Sequence, residues 1–187
     1  METNNKDEIN KKIEYPYLPE GRTILYAPES NPFMQEAKKT AQQESTDKRL
    51  STGAVIVRVR DNVVVSKDAN KAPLTNEKLI NLHKKYCIRR ILKIPSGKKY
   101  WLCPGCAAGD HHAEYRASKK LIKQGFDKND QFDLYLWGHW WACKDCWGKM
   151  IEVPIRNVYV MEGSEFLFNE KSEKNVIGHQ FDDYKKS

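Results

Sequence analysis

The stretch "NPFMQEAKKTAQQEST", residues 31–46, opens on asparagine and proline and then places Phe33, Met34, Ala37 and Ala41 on one helical face. Asparagine suits an N-cap, proline suits the first helical position, and the spacing predicts an amphipathic helix. "GAVIVRVRDNVVVSK" follows as two β-branched runs, which predict strands over 54–59 and 63–66 with Asp61-Asn62 at the turn. Residues 71–110 break this regularity, mixing short helical patterns with Pro-Ser-Gly and Pro-Gly turns, and read as an insertion. A helix is predicted over 112–123, stopped near Gly125. "FDLYLWGHW" predicts a strand over 132–140, and a helix over 143–152 and a strand over 155–162 complete the pattern. Residues 1–30 read as an extended arm, 31–165 as the folded domain and 166–187 as a polar tail. The order helix, strand, strand, helix, strand, helix, strand implies an α/β fold with a central mixed sheet flanked by helices.

Charge changes the picture modestly. Lys and Arg number 32 against 25 Asp and Glu, a net charge of +7. That balance favours anionic partners such as nucleotides or nucleic acid, and equally describes a lysine-rich solvated surface. No apolar run approaches the roughly 20 residues that span a bilayer. "METNNKDEINKK" lacks the apolar stretch of a secretory signal, so a cytoplasmic setting without a membrane partner is expected. Disulfides are rare in that compartment. The five cysteines are an odd number, and Cys103, Cys106, Cys143 and Cys146 form two CxxC pairs, which points to metal rather than disulfides.

"GDHHAEYRASKK", 109–120, puts His112 at a helix start with Glu114 two residues on; "WWACKDCWGKM", 140–150, supplies Cys143 and Cys146. A catalytic zinc takes three protein ligands and keeps one position for water. His112, Cys143 and Cys146 meet that requirement, and the Ala113 spacer lets Glu114 reach the open position without ligating. Zinc lowers the pKa of bound water to about 7. H-x-E followed by C-x-x-C, with the glutamate as proton shuttle, is the pattern of the zinc-dependent nucleobase deaminases.

At these motifs the chain resembles the deoxycytidylate (dCMP) deaminases of the cytidine deaminase superfamily, over about residues 33–162. "STGAVIVRVRDNVVVSKDANKAP" is similar to the family's opening hairpin and asparagine-bearing loop. "CIRRILKIPSGKKYWLC" is similar to its insertion before the His-Ala-Glu motif, and "IRNVYV" to the strand after the cysteine helix. The resemblance implies a three-layer fold and a homo-oligomer. It also implies hydrolytic deamination of a cytosine nucleotide, dCMP to dUMP, by hydroxide attack at C4 with Glu114 moving protons. Asn70 matches the residue that contacts the nucleotide sugar. The chain departs from the pattern at Ala142, where the family has proline, and at His139, where it has a small hydroxyl residue. Asp68 and Lys71 stand where the family has glycines that admit a regulatory nucleoside triphosphate.

The expected substrate pocket thus comprises Asn70, Ala113, His139 and Trp141, the last as a platform for base stacking. Arg156, Lys149 and Lys71 are positional candidates for binding phosphate. His83, Cys87, Cys103 and Cys106, spaced H-x3-C-x15-C-x2-C, suit a second, structural zinc, with His111 competing as its fourth ligand. Two other readings stay open: a deaminase acting on cytosine or adenine in single-stranded nucleic acid, which the basic charge and the tryptophans favour, and a non-catalytic zinc-binding module.

Overall fold

A computed structural model describes residues 13–95 and 98–182. The expected arm therefore falls partly, and the expected tail's last residues wholly, outside the described residues. Five strands form one sheet in the order β1-β5-β4-β2-β3. They are β1 (Ile24–Ala27), β2 (Gly53–Arg58), β3 (Val63–Ala69), β4 (Phe132–Trp137) and β5 (Ile155–Met161). β2 runs antiparallel to β3 and β4, while β5 runs parallel to β4 and β1, so the sheet is mixed as the pattern predicts.

Helices cover both faces. α1 (Pro32–Glu44) buries Met34, Ala37 and Ala41 against Val55, Val57, Tyr135 and Trp137. α4 (Ala113–Gln124) and α5 (Lys144–Ile151) bury Ala117, Leu121, Trp147 and Met150 against Ala54, Ile56, Leu134, Leu136, Val158 and Val160 on the other face. Alternation along β2, β4 and β5 divides their side chains between these two cores. β4, at the centre, is buried at every residue, and apart from Asp133, which pairs with Arg156, it reads as an aromatic and aliphatic run. α1 begins as expected: Asn31 Oδ1 accepts from the backbone N–H groups of Phe33 (2.9 Å) and Met34 (3.2 Å).

Most element ends shift by one or two residues, and three larger differences from the sequence reading matter. β3 continues to Ala69, where its final turn delivers Asn70 to the site. β4 stops at Trp137 and not at residue 140, because Gly138 turns away with φ +89° and lies so close to the Ser51 carbonyl that a Cβ would sit 2.1 Å from it. Within the expected arm, Ile24–Ala27 pairs with Val158–Met161 as the edge strand β1.

The chain after β5 also returns to the body. α6 (Ser164–Leu167) is followed by Phe168, packed edge-on to Trp137, and Phe181 stacks on the same indole at 5.2 Å. Gln180 bonds both the N–H and the carbonyl of Ser51. The insertion contains α2 (Glu77–Lys85), α3 (Ile88–Ile91) and short 3-10 turns at Tyr100–Leu102 and Gly109–His111. Among the described residues, no helix is long and apolar enough to cross a membrane.

Candidate active site and metal centre

His112 and Cys143 are the N-cap residues of α4 and α5, and neither side chain caps its own helix. Both are therefore free to turn toward each other across the gap between the helices. His112 Nδ1 lies 3.5 Å from Cys143 Sγ and 3.5 Å from Cys146 Sγ, and the two sulfurs are 3.3 Å apart. A tetrahedral zinc with sulfur ligands at about 2.3 Å and nitrogen at about 2.0 Å holds them roughly 3.8 Å (S to S) and 3.5 Å (N to S) apart. The two N–S distances match that shell, and the S–S distance is shorter than it, so the three donors converge on one point with room for an ion only once the sulfurs part slightly. With Nδ1 turned to the sulfurs, the proton belongs on Nε2, where Tyr100 Oη lies 3.4 Å away to accept it. The hydrogen bond from Cys146 pulls the Cys143 thiol down to about 4 against the opposing effect of burial, with His112 adding to the pull. Burial, then the Cys143 thiolate, pushes Cys146 up.

Glu114 occupies the first turn of α4 and is 4% exposed. Burial raises its carboxyl above the ordinary carboxylate range, and the His112 charge partly opposes that. A carboxyl so placed exchanges protons nearer neutrality than a surface glutamate does.

One cleft of about 660 Å³, counting its open mouth, gathers the predicted site. His112, Cys143, Glu114, Asn70, Ala113, His139 and Trp141 all line it; Cys146 lies behind them, fully buried. Asn70 is fixed by three bonds: Oδ1 accepts from Ser45 Oγ (2.6 Å) and Thr52 N (2.9 Å), and Nδ2 donates to the Leu50 carbonyl (2.8 Å). His139 Nδ1 accepts from the Trp141 N–H at 3.3 Å, and burial pulls its pKa down from 6.5 to about 4, so the ring is neutral near pH 7. Trp137 and Trp147, by contrast, are core residues.

The second cluster meets the same cleft through His83, Cys87 and Cys106. Cys87 Sγ lies 3.8 Å from Cys103 Sγ and 3.4 Å from Cys106 Sγ, and Cys106 Sγ is 3.5 Å from His83 Nε2. The four donors converge closely enough to share one metal ion. His111 is not among them; its half-exposed ring lies beside Asp110. Gly105 lies flat against the His83 ring, where a Cβ would approach within 2.4 Å. Asp47, buried, ties the cluster's loop to the body by accepting from the Ala107 N–H at 3.1 Å.

Lys71, Lys149 and Arg156 do not line the cleft. Lys71 donates to the Glu44 carbonyl, Lys149 pairs with Glu152 and Arg156 with Asp133. The cations that do line it are Arg49, Arg89 and Arg90, together with Tyr100, Asp47 and Glu170. Sequence reasoning missed all of these. "CIRR" marks a pair of arginines, but Arg49, Tyr100 and Glu170 carry no local signal.

No individual curated protein matches the chain. The family model for the cytidine and deoxycytidylate deaminase zinc-binding region matches residues 28–162, most of the chain and all of both donor clusters. With the mixed sheet, His112 and Cys143 at the helix starts, and Cys146 and Glu114 beside them, that match places the chain in the cytidine and deoxycytidylate deaminase zinc-binding family.

Proposed function

We propose that the protein is a zinc-dependent hydrolase that deaminates a cytosine nucleotide, dCMP to dUMP. The observation that carries this reading is Glu114: a buried carboxyl that lines the cleft beside three zinc donors and is not needed as a fourth. A purely structural site has no use for it. His112, Cys143 and Cys146 would hold a zinc ion, which would supply the Lewis acidity that makes water a nucleophile near neutral pH. Glu114 takes a proton from the attacking water and delivers it to N3 of the base, then moves the proton of the resulting C4 hydroxyl to the 4-amino group, which leaves as ammonia. Water adds at C4, the C4–N bond breaks, and the products are the uracil nucleotide and ammonia. Asn70, held by Ser45, Thr52 and Leu50, positions the sugar with its remaining amide hydrogen. The Trp141 indole and the neutral His139 wall the base. His83, Cys87, Cys103 and Cys106 hold a second, structural zinc, giving two ions per chain.

Ammonia release by purified, zinc-loaded protein tests the reading across dCMP, CMP, dCTP, deoxycytidine and a cytosine-containing oligonucleotide. The expected order puts dCMP first, with kcat/KM at least tenfold above deoxycytidine, because a phosphate adds charge-assisted hydrogen bonds. Equal values for dCMP and deoxycytidine would refute the monophosphate assignment, and turnover of the oligonucleotide alone would redirect it to nucleic acid.

A further inference from the structure

The cleft that holds Glu114 also holds a charge cluster that the chemistry above does not use. Arg49 comes from the connection between α1 and β2, Arg90 from α3 and Glu170 from the segment after α6. Arg90 Nη1 lies 2.8 Å from Glu170 Oε2, and Arg49 Nη2 lies 3.9 Å from Oε1, so each carboxylate oxygen faces its own guanidinium. Arg49 is oriented by donating from Nη1 to the Lys84 carbonyl at 2.7 Å. Its Nε is buried and finds no acceptor among the described residues. A buried guanidinium donor without an acceptor is costly, and an anion with more acceptor oxygens than the Glu170 carboxylate could supply the missing one.

The segment bearing Glu170 is held at both ends. The Val176 N–H bonds the Leu167 carbonyl at 2.8 Å, closing residues 168–175 into a loop. Phe168 is buried, the Gly178 N–H bonds the Arg49 carbonyl, and Gln180 bonds Ser51. Glu170 is thus presented to the arginines by a fixed frame, and its own side chain can leave without unfolding that frame. Burial raises its carboxyl above the usual range despite both arginines, so its ionised form is poorly accommodated there.

We propose that Arg49 and Arg90 form the subsite for the nucleotide's 5′-phosphate, and that Glu170 is an internal carboxylate which that phosphate displaces. This rests on the reading of the protein as a nucleotide deaminase. A phosphate monoester brings a charge near −2 and three acceptor oxygens, against one charge and two oxygens for glutamate, and it matches guanidinium geometry. Glu170 therefore discriminates. A nucleoside, with nothing to displace it, leaves the carboxylate in place, whereas a monophosphate exchanges for it.

The product pair dUMP and deoxyuridine tests this by calorimetric titration of the zinc-loaded full chain, without turnover. Glu170→Gln is expected to tighten dUMP about tenfold and Arg90→Gln to weaken it by a similar factor, the worth of one charge-assisted hydrogen bond, with deoxyuridine unchanged in both. Arg90→Lys should recover part of the loss. Unchanged dUMP affinity in both glutamine variants, or equal changes for dUMP and deoxyuridine, would overturn the subsite. If the wild type binds neither ligand, the nucleotide reading fails separately. Inorganic phosphate then probes the arginines alone, and binding that is strengthened by Glu170→Gln and abolished by adding Arg90→Gln supports the anion site. Phosphate binding indifferent to both substitutions overturns it.

Discussion

His112, Cys143 and Cys146 stand at the N-terminal ends of two helices packed on the sheet, while His83, Cys87, Cys103 and Cys106 stand on an insertion outside it. The first group draws its rigidity from an apolar core: α4 and α5 bury Ala117, Leu121, Trp147 and Met150. Among its described residues the insertion has no such core. The only buried residue of α2 is His83 and of α3 is Arg89, while Leu79, Leu82, Ile88, Ile91 and Leu92 are exposed. Three donors on a rigid frame suit a metal that must keep a position for reactants. Four donors in a segment with little apolar burial suit a metal that replaces a core, since binding energy becomes folding energy where no site is preformed.

The sharpest way to break this contrast is to remove one donor from each cluster. His112→Ala or Cys143→Ala should reduce ammonia release to background and lose one zinc, because two donors do not retain an ion in an open site. Wild-type turnover in either variant would dissolve the distinction. Cys103→Ser should instead act on stability. With zinc at 100–1,000 times its dissociation constant, loss of binding costs about 3–4 kcal/mol, read as a lower Tm and as early proteolysis within residues 71–110. A full complement of two ions with unchanged Tm would contradict the structural role.

Smaller changes tune each cluster separately. Tyr100→Phe removes the partner of His112 Nε2 and should lower activity or zinc affinity by 10–100-fold, about 1.4–2.7 kcal/mol, while the second ion stays bound. The smallest effect is a pH slope. His139 is held neutral by burial, with its pKa pulled from 6.5 to about 4, so the unfolded chain binds its proton more readily. It costs nothing above pH 6.5 and destabilises the fold progressively as pH falls from about 6.5 to about 4. In His139→Gln, thermal melts across that window should show a shallower loss than wild type; parallel curves would show that His139 is not the group responsible.

Much of the candidate site's placement was legible because its donors lie in short spacings. His112 to Glu114 and Cys143 to Cys146 need only one helix turn each, and the sheet brings the two turns together. α1 and the hairpin were legible for a similar reason, since one amphipathic period and two β-branched runs suffice. What escaped depends on partners far along the chain. β1 has four residues, and its strand character comes from pairing with Val158–Met161. Gln180 and Glu170 lie in a stretch without periodicity, and only folding brings them to Ser51 and to the arginines. β4 was drawn too long because the aromatic run continues past Gly138, where contact with Ser51 ends the strand. The phosphate candidates chosen by position, Lys71, Lys149 and Arg156, each have a local partner that sequence spacing does not reveal.

The central claim is that Glu114 carries the protons and does not hold the metal. Glu114→Gln tests it on one preparation, by zinc content and by ammonia release from dCMP. The amide is nearly isosteric but cannot take a proton from water or give one to N3. Both ions should remain, and turnover should fall by about 10⁴-fold or more, near 5.5 kcal/mol of transition-state stabilisation. Retained turnover, or loss of one zinc, would contradict the account.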